Sequence, residues 1–246
     1  MKAMVLAAGL GTRLRPLTDD RPKALVELGN RTLLEIALTR LQEFGVRDVI
    51  VNVHHFADMV INYLNARENF GMHIEISREE TLLDTGGGLK KAGWFFAGES
   101  EPFILHNVDV VSTIDLREMV RFHNEKQGLA TLAVKERPSS RYLIFDEHLQ
   151  LSGRRFVREQ KVETVRPAQQ PQDLAFAGIH VISPRLPSLI AEEGIFSIIT
   201  SYLSLAGQGE KILGFRADSY KWRDLGTVES LKEATAEFGS GTQKSI

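Results

Sequence analysis

The chain has 246 residues, 43% of them hydrophobic and 25% charged, with a formal net charge of −2 and no cysteine. These values exclude wholesale disorder, a disulfide framework, a thiolate metal site and a cysteine nucleophile, and the balanced charge gives no case for nucleic-acid binding. The length suits one large α/β domain or two small ones.

In chain order, Met1–Ala8 reads as a buried parallel strand: short, nearly all apolar and ending at a glycine. That run is too short for a signal-peptide core, and no run approaches the roughly 20 apolar residues of a spanning helix, so a cytoplasmic location and no membrane partner are expected. After a loop, "TLLEIALTRLQEFG" predicts a helix. Thr32 and Glu35 have capping-box spacing, Leu33, Leu34, Ala37, Leu41 and Phe44 mark the buried stripe, and Gly45 closes it. "RDVIVNVHH" and "MHIEIS" read as strands around a helix over 57–68, and "FILHNVDV" reads as one strand followed by a helix from near Asp115 and the strand "LATLAV". This alternation predicts a mostly parallel sheet with helices on both faces.

Downstream the pattern loosens. "RYLIFDEHLQLSG" predicts a hairpin with Asp146, Glu147 and His148 at its tip, and the polar stretch 152–173 reads as partly loop. "FAGIHVIS" and "KILGFRAD" read as strands, "RLPSLIAEE" and "FSIITSYLSLAG" as helices, and "KWRDLGT" leads into a last helix. No repeat or linker divides the chain, so residues 1–238 are expected to form a single domain and 239–246 a tail. The expected class is α/β, a Rossmann-like three-layer sandwich with a mostly parallel mixed sheet.

The loop "LAAGLGTRLRPLTDDRPKAL" carries the first functional signal. A dinucleotide fingerprint needs a third glycine where Leu14 stands, and a long helix that Pro16 and Pro22 forbid. A Walker A spacing is missing too. What remains is a stiff loop whose glycines admit an anion to the backbone and whose Arg13, Arg15, Arg21 and Lys23 supply cations, a composition suited to a polyphosphate.

Extended to "LAAGLGTRLRPLTDDRPKALVELGNRTLLE", the stretch resembles the signature of sugar-1-phosphate nucleotidyltransferases over about 30 residues. The resemblance implies the nucleotide-diphospho-sugar transferase fold, with a nucleoside triphosphate and a sugar 1-phosphate as substrates. It implies that Leu6, Ala8, Gly9, Gly11, Thr12, Arg13 and Lys23 wrap the nucleotide, Arg13 stabilising the reacting phosphates and Lys23 touching them as well.

Bound phosphates imply Mg2+, which is held by one or two carboxylates together with phosphate oxygens. Asp109 ends "FILHNVDV", and Asp224 in "WRDLGT" lies between a strand and a helix; open α/β sheets bind ligands at that carboxyl edge. Either residue alone reads as a helix cap or turn. Together with the loop they favour a metal, and the resemblance makes both of them Mg2+ ligands. One departure stands out: Val108 replaces the family's glycine before the first Asp, and a β-branched residue resists a positive φ, so a changed local path is expected.

In "LLDTGGGLKKA", Gly86, Gly87 and Gly88 precede a helical stretch and suit either a flat ring, an anion or a hinge. The resemblance sets Gly86 and Gly87 against the nucleobase. The form is similar to that of N-acetylmuramate-1-phosphate uridylyltransferases, with Asp84 in place of a glutamate. Mannose-1-phosphate guanylyltransferase-like proteins carry related glycines, which leaves the base open. "LAFAGIHVIS" resembles the sugar-pocket segment and places Ala177 and Gly178 near the sugar, though a closely packed buried strand explains it equally well.

The family's E-K-P motif, whose lysine contacts the sugar phosphate, is missing, and "KERP" at Lys135–Pro138 is a poor substitute. The cluster Arg154, Arg155, Arg158 and Lys161 could supply that charge, but such clusters are more often solvated faces. His54 and His55 have no partners at metal-ligand spacing. The resulting expectation is Mg2+-dependent nucleotidyl transfer from a nucleoside triphosphate, with UTP and N-acetylmuramate 1-phosphate slightly favoured. Guanylyl transfer to mannose 1-phosphate, cytidylyl transfer to phosphocholine and a non-catalytic nucleotide-sugar sensor are the alternatives. The oligomeric state is not legible.

Overall fold

A computed structural model describes residues 1–239. The elements run β1 (Lys2–Leu6), the short pair β2 (Glu27–Leu28) and β3 (Arg31–Thr32), α1 (Leu33–Glu43), β4 (Asp48–Val53), α2 (Ala57–Ala66), β5 (His73–Arg78) and α3 (Asp84–Ala92). Then come β6 (Phe103–Asn107), β7 (Val110–Ser112), α4 (Leu116–Lys126), β8 (Ala130–Lys135), β9 (Arg141–Phe145), β10 (Leu151–Phe156) and β11 (Lys161–Thr164). The chain continues with β12 (Gln172–Ile182), α5 (Leu186–Leu189), α6 (Ile198–Gly207), β13 (Ile212–Arg216), β14 (Trp222–Asp224) and α7 (Val228–Gly239).

The nucleus of the ten-stranded mixed sheet is parallel: β1 lies between β4 and β6, and β5 pairs outside β4. Strand β12 adds antiparallel to β6, β8 and β9, and β13 is parallel to β8. Side chains alternate across this sheet with the two-residue period of a strand. Ala3, Val5, Val49, Val51 and Ile104 pack under α1, α2, α4 and α7, while Met4, Ile50, Phe103 and Leu105 pack against α3, α5 and α6. The expected three-layer sandwich is therefore present. No described helix is long and apolar enough to cross a membrane.

Several local expectations need correction. "FILHNVDV" is not one strand: the chain turns at Val108–Asp109 and Val110–Ser112 leaves the main sheet to pair with β14. The stretch 152–173 holds the rest of β10, all of β11 and the start of β12, because its polar residues face solvent along an antiparallel edge. The helix expected over "RLPSLIAEE" shrinks to Leu186–Leu189. At the far end, Gly239 still belongs to α7, and the rest of the expected tail, 240–246, lies outside the described residues.

Thr32 caps α1 by accepting from the Glu35 N–H at 3.1 Å. Only half of the capping box forms, since the Glu35 carboxylate turns to the Tyr63 hydroxyl at 2.8 Å and to Arg31 at 3.2 Å. Thr32→Ala should therefore cost about 0.5–2 kcal/mol, read as a lower denaturation midpoint in urea at unchanged m-value.

Candidate active site

Chain order and sheet order diverge at β1. From β1 the chain crosses to β4 on one side; β6 lies on the other and leads away towards β8. Such a switch point leaves a crevice at the carboxyl ends of the strands. Here it is a cleft of about 420 Å³, floored by Leu6 at the end of β1, Asn52 from β4 and Asn107 at the end of β6.

The loop after β1 forms one wall. It contains two short 3-10 turns, Thr12–Leu14 and Lys23–Leu25, in place of a long helix, as its prolines require. Leu14 is fully buried and anchors the loop in the core. Arg13 and Lys23 line the cleft beside Ala8 and Gly9. Gly11 has φ +65°, and a Cβ there would lie 2.9 Å from Thr18 Cγ2, so the turn requires glycine. Gly9 is different: a Cβ on it would meet nothing within 4 Å, because it faces the open cleft. Of the other loop cations, Arg15 pairs with Asp19 and Arg21 with Asp20 on the exposed outer side.

Two carboxylates close the floor. Asp224 ends β14 opposite Val110 in the antiparallel register with β7, which sets it beside the Val108–Asp109 turn. The Leu225 N–H donates to the Asp109 carbonyl at 2.8 Å, and the Gly226 N–H to Asp224 Oδ1 at 2.7 Å. Lys23 Nζ is hydrogen-bonded to Asp109 Oδ2. The position a Gly226 Cβ would take lies 2.7 Å from Arg13 Nη2, 2.7 Å from Asp224 Oδ1 and 2.9 Å from Asp109 Oδ2. All three groups thus converge on one small volume that only a glycine leaves open. Burial, and then repulsion from Asp109, holds the Asp224 carboxyl above its usual range, against the pull of the Gly226 N–H, Lys23 and Arg13.

The site residues expected from the sequence divide clearly. Leu6, Ala8, Gly9, Arg13, Lys23, Asp109 and Asp224 share the cleft. Gly11 shapes its loop from behind, and Thr12 is exposed outside the lining. Gly86–Gly88 do not precede a helix but sit buried inside α3. A Cβ on Gly86 would lie 2.3 Å from the Phe196 ring, and one on Gly87 would lie 2.4 Å from the Gly194 carbonyl oxygen. The N–H groups of both glycines already donate to the Phe196 carbonyl, so these helix-start donors are spent on the protein itself. The neighbouring wall is formed by Leu82, Asp84 and Thr85 instead, and Ile195 also lines the cleft. Asp84 has φ +60°, a conformation Asp tolerates better than most residues.

Ala177 and Gly178 are buried behind the floor. Gly178 has φ +75°, and its Cβ would press on Val110 at 2.6 Å and on Asn107 Nδ2 at 3.0 Å. Val108 needs no positive φ; it is 3% exposed in the core and donates its N–H to the Leu6 carbonyl at 3.2 Å. Lys135 bonds the carbonyls of Ala217, Asp218 and Tyr220, and Arg154, Arg155 and Lys161 pair with Glu163 or Asp173 on the hairpin edge.

Sequence reading passed over Asn52 and Glu79. The Asn52 side chain accepts from the Ala7 N–H at 2.8 Å and donates to Glu79 Oε1 at 2.7 Å, while Glu79 Oε2 accepts from the Leu83 N–H at 2.9 Å. One buried pair thereby ties the first loop to the wall before α3. The visible signal was an amide inside the apolar strand "VIVNV".

A protein-family model described as nucleotidyl transferase matches residues 2–240. The chain is 33% identical over 245 residues to an N-acetylmuramate alpha-1-phosphate uridylyltransferase from Caulobacter vibrioides, covering 96% of both proteins. It is 30% identical over 248 residues to a mannose-1-phosphate guanyltransferase from Yarrowia lipolytica, covering 99% of this chain and 66% of that protein. In fold it is similar to a putative glucose-1-phosphate thymidylyltransferase from Bacillus anthracis, with a TM-score of 0.79 at 18% identity, over 100% of this chain and 98% of that one.

The contrast between glycines is open to measurement. Gly87→Ala, driven into the Gly194 carbonyl, should lose about 1–3 kcal/mol of stability. Gly9→Ala, with open space ahead of it, should melt within about 0.5 kcal/mol of wild type. Equal melting of the two variants would contradict the packing role of α3's glycines.

Proposed function

The chain belongs to the nucleotidyl transferase family, and from that premise we propose that it transfers a nucleotidyl group from a nucleoside triphosphate to a sugar 1-phosphate. The observation carrying this reading is the convergence of Arg13, Lys23, Asp109 and Asp224 at the sheet's switch point. In the reaction, an anionic oxygen of the sugar phosphate bonds to the α-phosphorus of the triphosphate. The bond from that phosphorus to the bridging oxygen breaks, and pyrophosphate leaves with the electron pair. The attacking oxygen carries no proton, so no general base is needed. His106, next to the floor residue Asn107, stays neutral, since burial pulls its pKa down to about 4.

Catalysis of this kind is positioning and charge neutralisation. Arg13 is placed to hold phosphate oxygens from the loop side. Lys23 is placed to do the same once released from Asp109. Gly9 leaves the backbone accessible to the nucleotide, and Asn52, fixed by Glu79, holds the loop's first turn in register.

The donor set fits Mg2+. Two hard carboxylates face one volume, and the Asp224 carboxyl is held above its usual range by burial and then by repulsion from Asp109, a cost that a shared cation would relieve. No group of three or more His, Cys, Asp or Glu side chains gathers among the described residues, so substrate oxygens and water must complete the shell. Asp109 and Asp224 would hold the ion, which when bound would neutralise charge on the phosphates.

For the substrates, UTP and N-acetylmuramate 1-phosphate are favoured by end-to-end similarity to the Caulobacter uridylyltransferase. GTP and mannose 1-phosphate form the second reading, favoured by the guanyltransferase similarity, although this chain spans only 66% of that protein.

Pyrophosphate release measured with four nucleoside triphosphates against N-acetylmuramate, mannose and glucose 1-phosphates and phosphocholine selects among these readings. Asp109→Ala should fold normally and lose about a hundred- to a thousandfold in turnover, the scale of removing one key electrostatic contact to the reacting group. Near-normal pyrophosphate release by that variant would sink the metal assignment.

A further inference from the structure

One large apolar side chain in the cleft is left unburied by the fold. Ile195 is 65% exposed, the highest value for any large apolar residue among the described residues, and it lines the cleft. A lone apolar side chain on an open surface needs no explanation. This one stands inside a cleft, on a segment that is tied down along its length. The Phe196 N–H donates to the Leu83 carbonyl at 3.2 Å, and the Phe196 carbonyl accepts from the Gly86 N–H at 2.9 Å and the Gly87 N–H at 3.3 Å. The Ile198 N–H donates to Thr85 Oγ1 at 3.0 Å. The Phe196 ring fills the space a Gly86 Cβ would need, and the Gly194 carbonyl oxygen fills that of Gly87. The glycines of α3 therefore seat segment 194–198, and Ile195 is presented to the cleft from a fixed backbone. An apolar surface fixed in this way loses little freedom when a ligand covers it.

The sheet order indicates which part of a ligand that is. At the carboxyl edge the strands stand in the order β5, β4, β1, β6. The wall joined to Ile195 begins at Glu79, directly after β5, and Asp109 follows β6. Three strand spacings, about 14 Å, separate those two ends. The reacting phosphates belong at the Asp109 and Asp224 end, so a group resting on Ile195 is remote from the bond being broken. Through Asn52 and Glu79 the same wall is braced to the first turn of the triphosphate loop, which fixes it relative to the nucleotide. The part of a nucleotide remote from its phosphates is the base. Every base has an apolar π-face whatever its edge carries, and an aliphatic side chain covers that face without stripping water from a polar group.

We propose that Ile195 is the platform for the face of the nucleobase, and that the α3 glycines serve the base only by seating this segment. The assignment rests on the nucleotidyl-transfer reading given above.

Isothermal titration of the whole enzyme with UTP, GTP, CTP and ATP in the presence of Mg2+ identifies the accepted triphosphate. Ile195→Ala should raise the Kd of that triphosphate at least about tenfold. Tripolyphosphate, which carries the phosphates and no ring, should bind the variant within about twofold of wild type, and KM for the sugar 1-phosphate should move as little. Ile195→Leu keeps an apolar face and should stay within about threefold of wild type for the triphosphate. Ile195→Thr keeps the branched shape but sets a hydroxyl against the ring; it should weaken the same ligand and carries the test should the alanine variant not fold. An unchanged triphosphate Kd in the folded variant, an equal loss for tripolyphosphate, or a rise confined to the sugar 1-phosphate KM overturns the Ile195 assignment alone. A wild type that binds none of the four triphosphates overturns the underlying reading, and the assignment falls with it.

Discussion

Two carboxylates held against each other are the constraint around which the site is built. Asp109 and Asp224 come from turns more than a hundred residues apart, and the three-residue ribbon of β7 and β14 forces them together. Left alone, such a pair would repel and one acid would take up a proton. Lys23 offsets the repulsion through its bond to Asp109, Arg13 approaches the same volume, and the Gly226 N–H binds Asp224. Gly226 is needed because any side chain would occupy the space these groups share. The loop after β1 must therefore be stiff, since it has to hold two cations in place. Its buried Leu14 and its prolines supply that stiffness.

The rest of the fold serves that point. The carboxyl ends of β1, β4 and β6 deliver Leu6, Asn52 and Asn107 to one floor, because the chain reverses its direction of travel across the sheet at β1. Asn52 couples the two walls. Its amide uses both ends, one on the Ala7 N–H and one on Glu79, so the first loop and the start of α3 cannot move independently. A buried carboxylate without hydrogen-bond partners would be unfavourable. Glu79 is stabilised here by accepting on both of its oxygens.

Much of this was legible in the sequence, for identifiable reasons. The first loop could be read because glycines, prolines and cations each restrict conformation or charge at fixed spacing. Helix α1 could be read because its cap and stripe are local. The turn at Asp109 was not, because "FILHNVDV" keeps its apolar pattern straight through it; the chain changes sheets there, and only the pairing of Val110–Ser112 with β14 makes that visible. The glycines of α3 were misplaced for a related reason. A run of three glycines signals close approach but not what approaches, and here it is Phe196 and Gly194 from over a hundred residues away. Strand β11 was hidden because an antiparallel edge with polar faces has the composition of a loop.

Charge balance decides what the cleft can accept. Two cations, Arg13 and Lys23, face two carboxylates, Asp109 and Asp224, so the formal side-chain charges at this point cancel. A triphosphate and a sugar phosphate together bring several negative charges into a partly desolvated space, where their mutual repulsion is weakly screened. That repulsion opposes the approach the reaction requires. It can be relieved only by cations not already engaged by these carboxylates. A divalent ion held by the two carboxylates would free Lys23 for the phosphates. The lysine of "KERP" is not available to either phosphate, because it braces the 217–220 turn through its carbonyls.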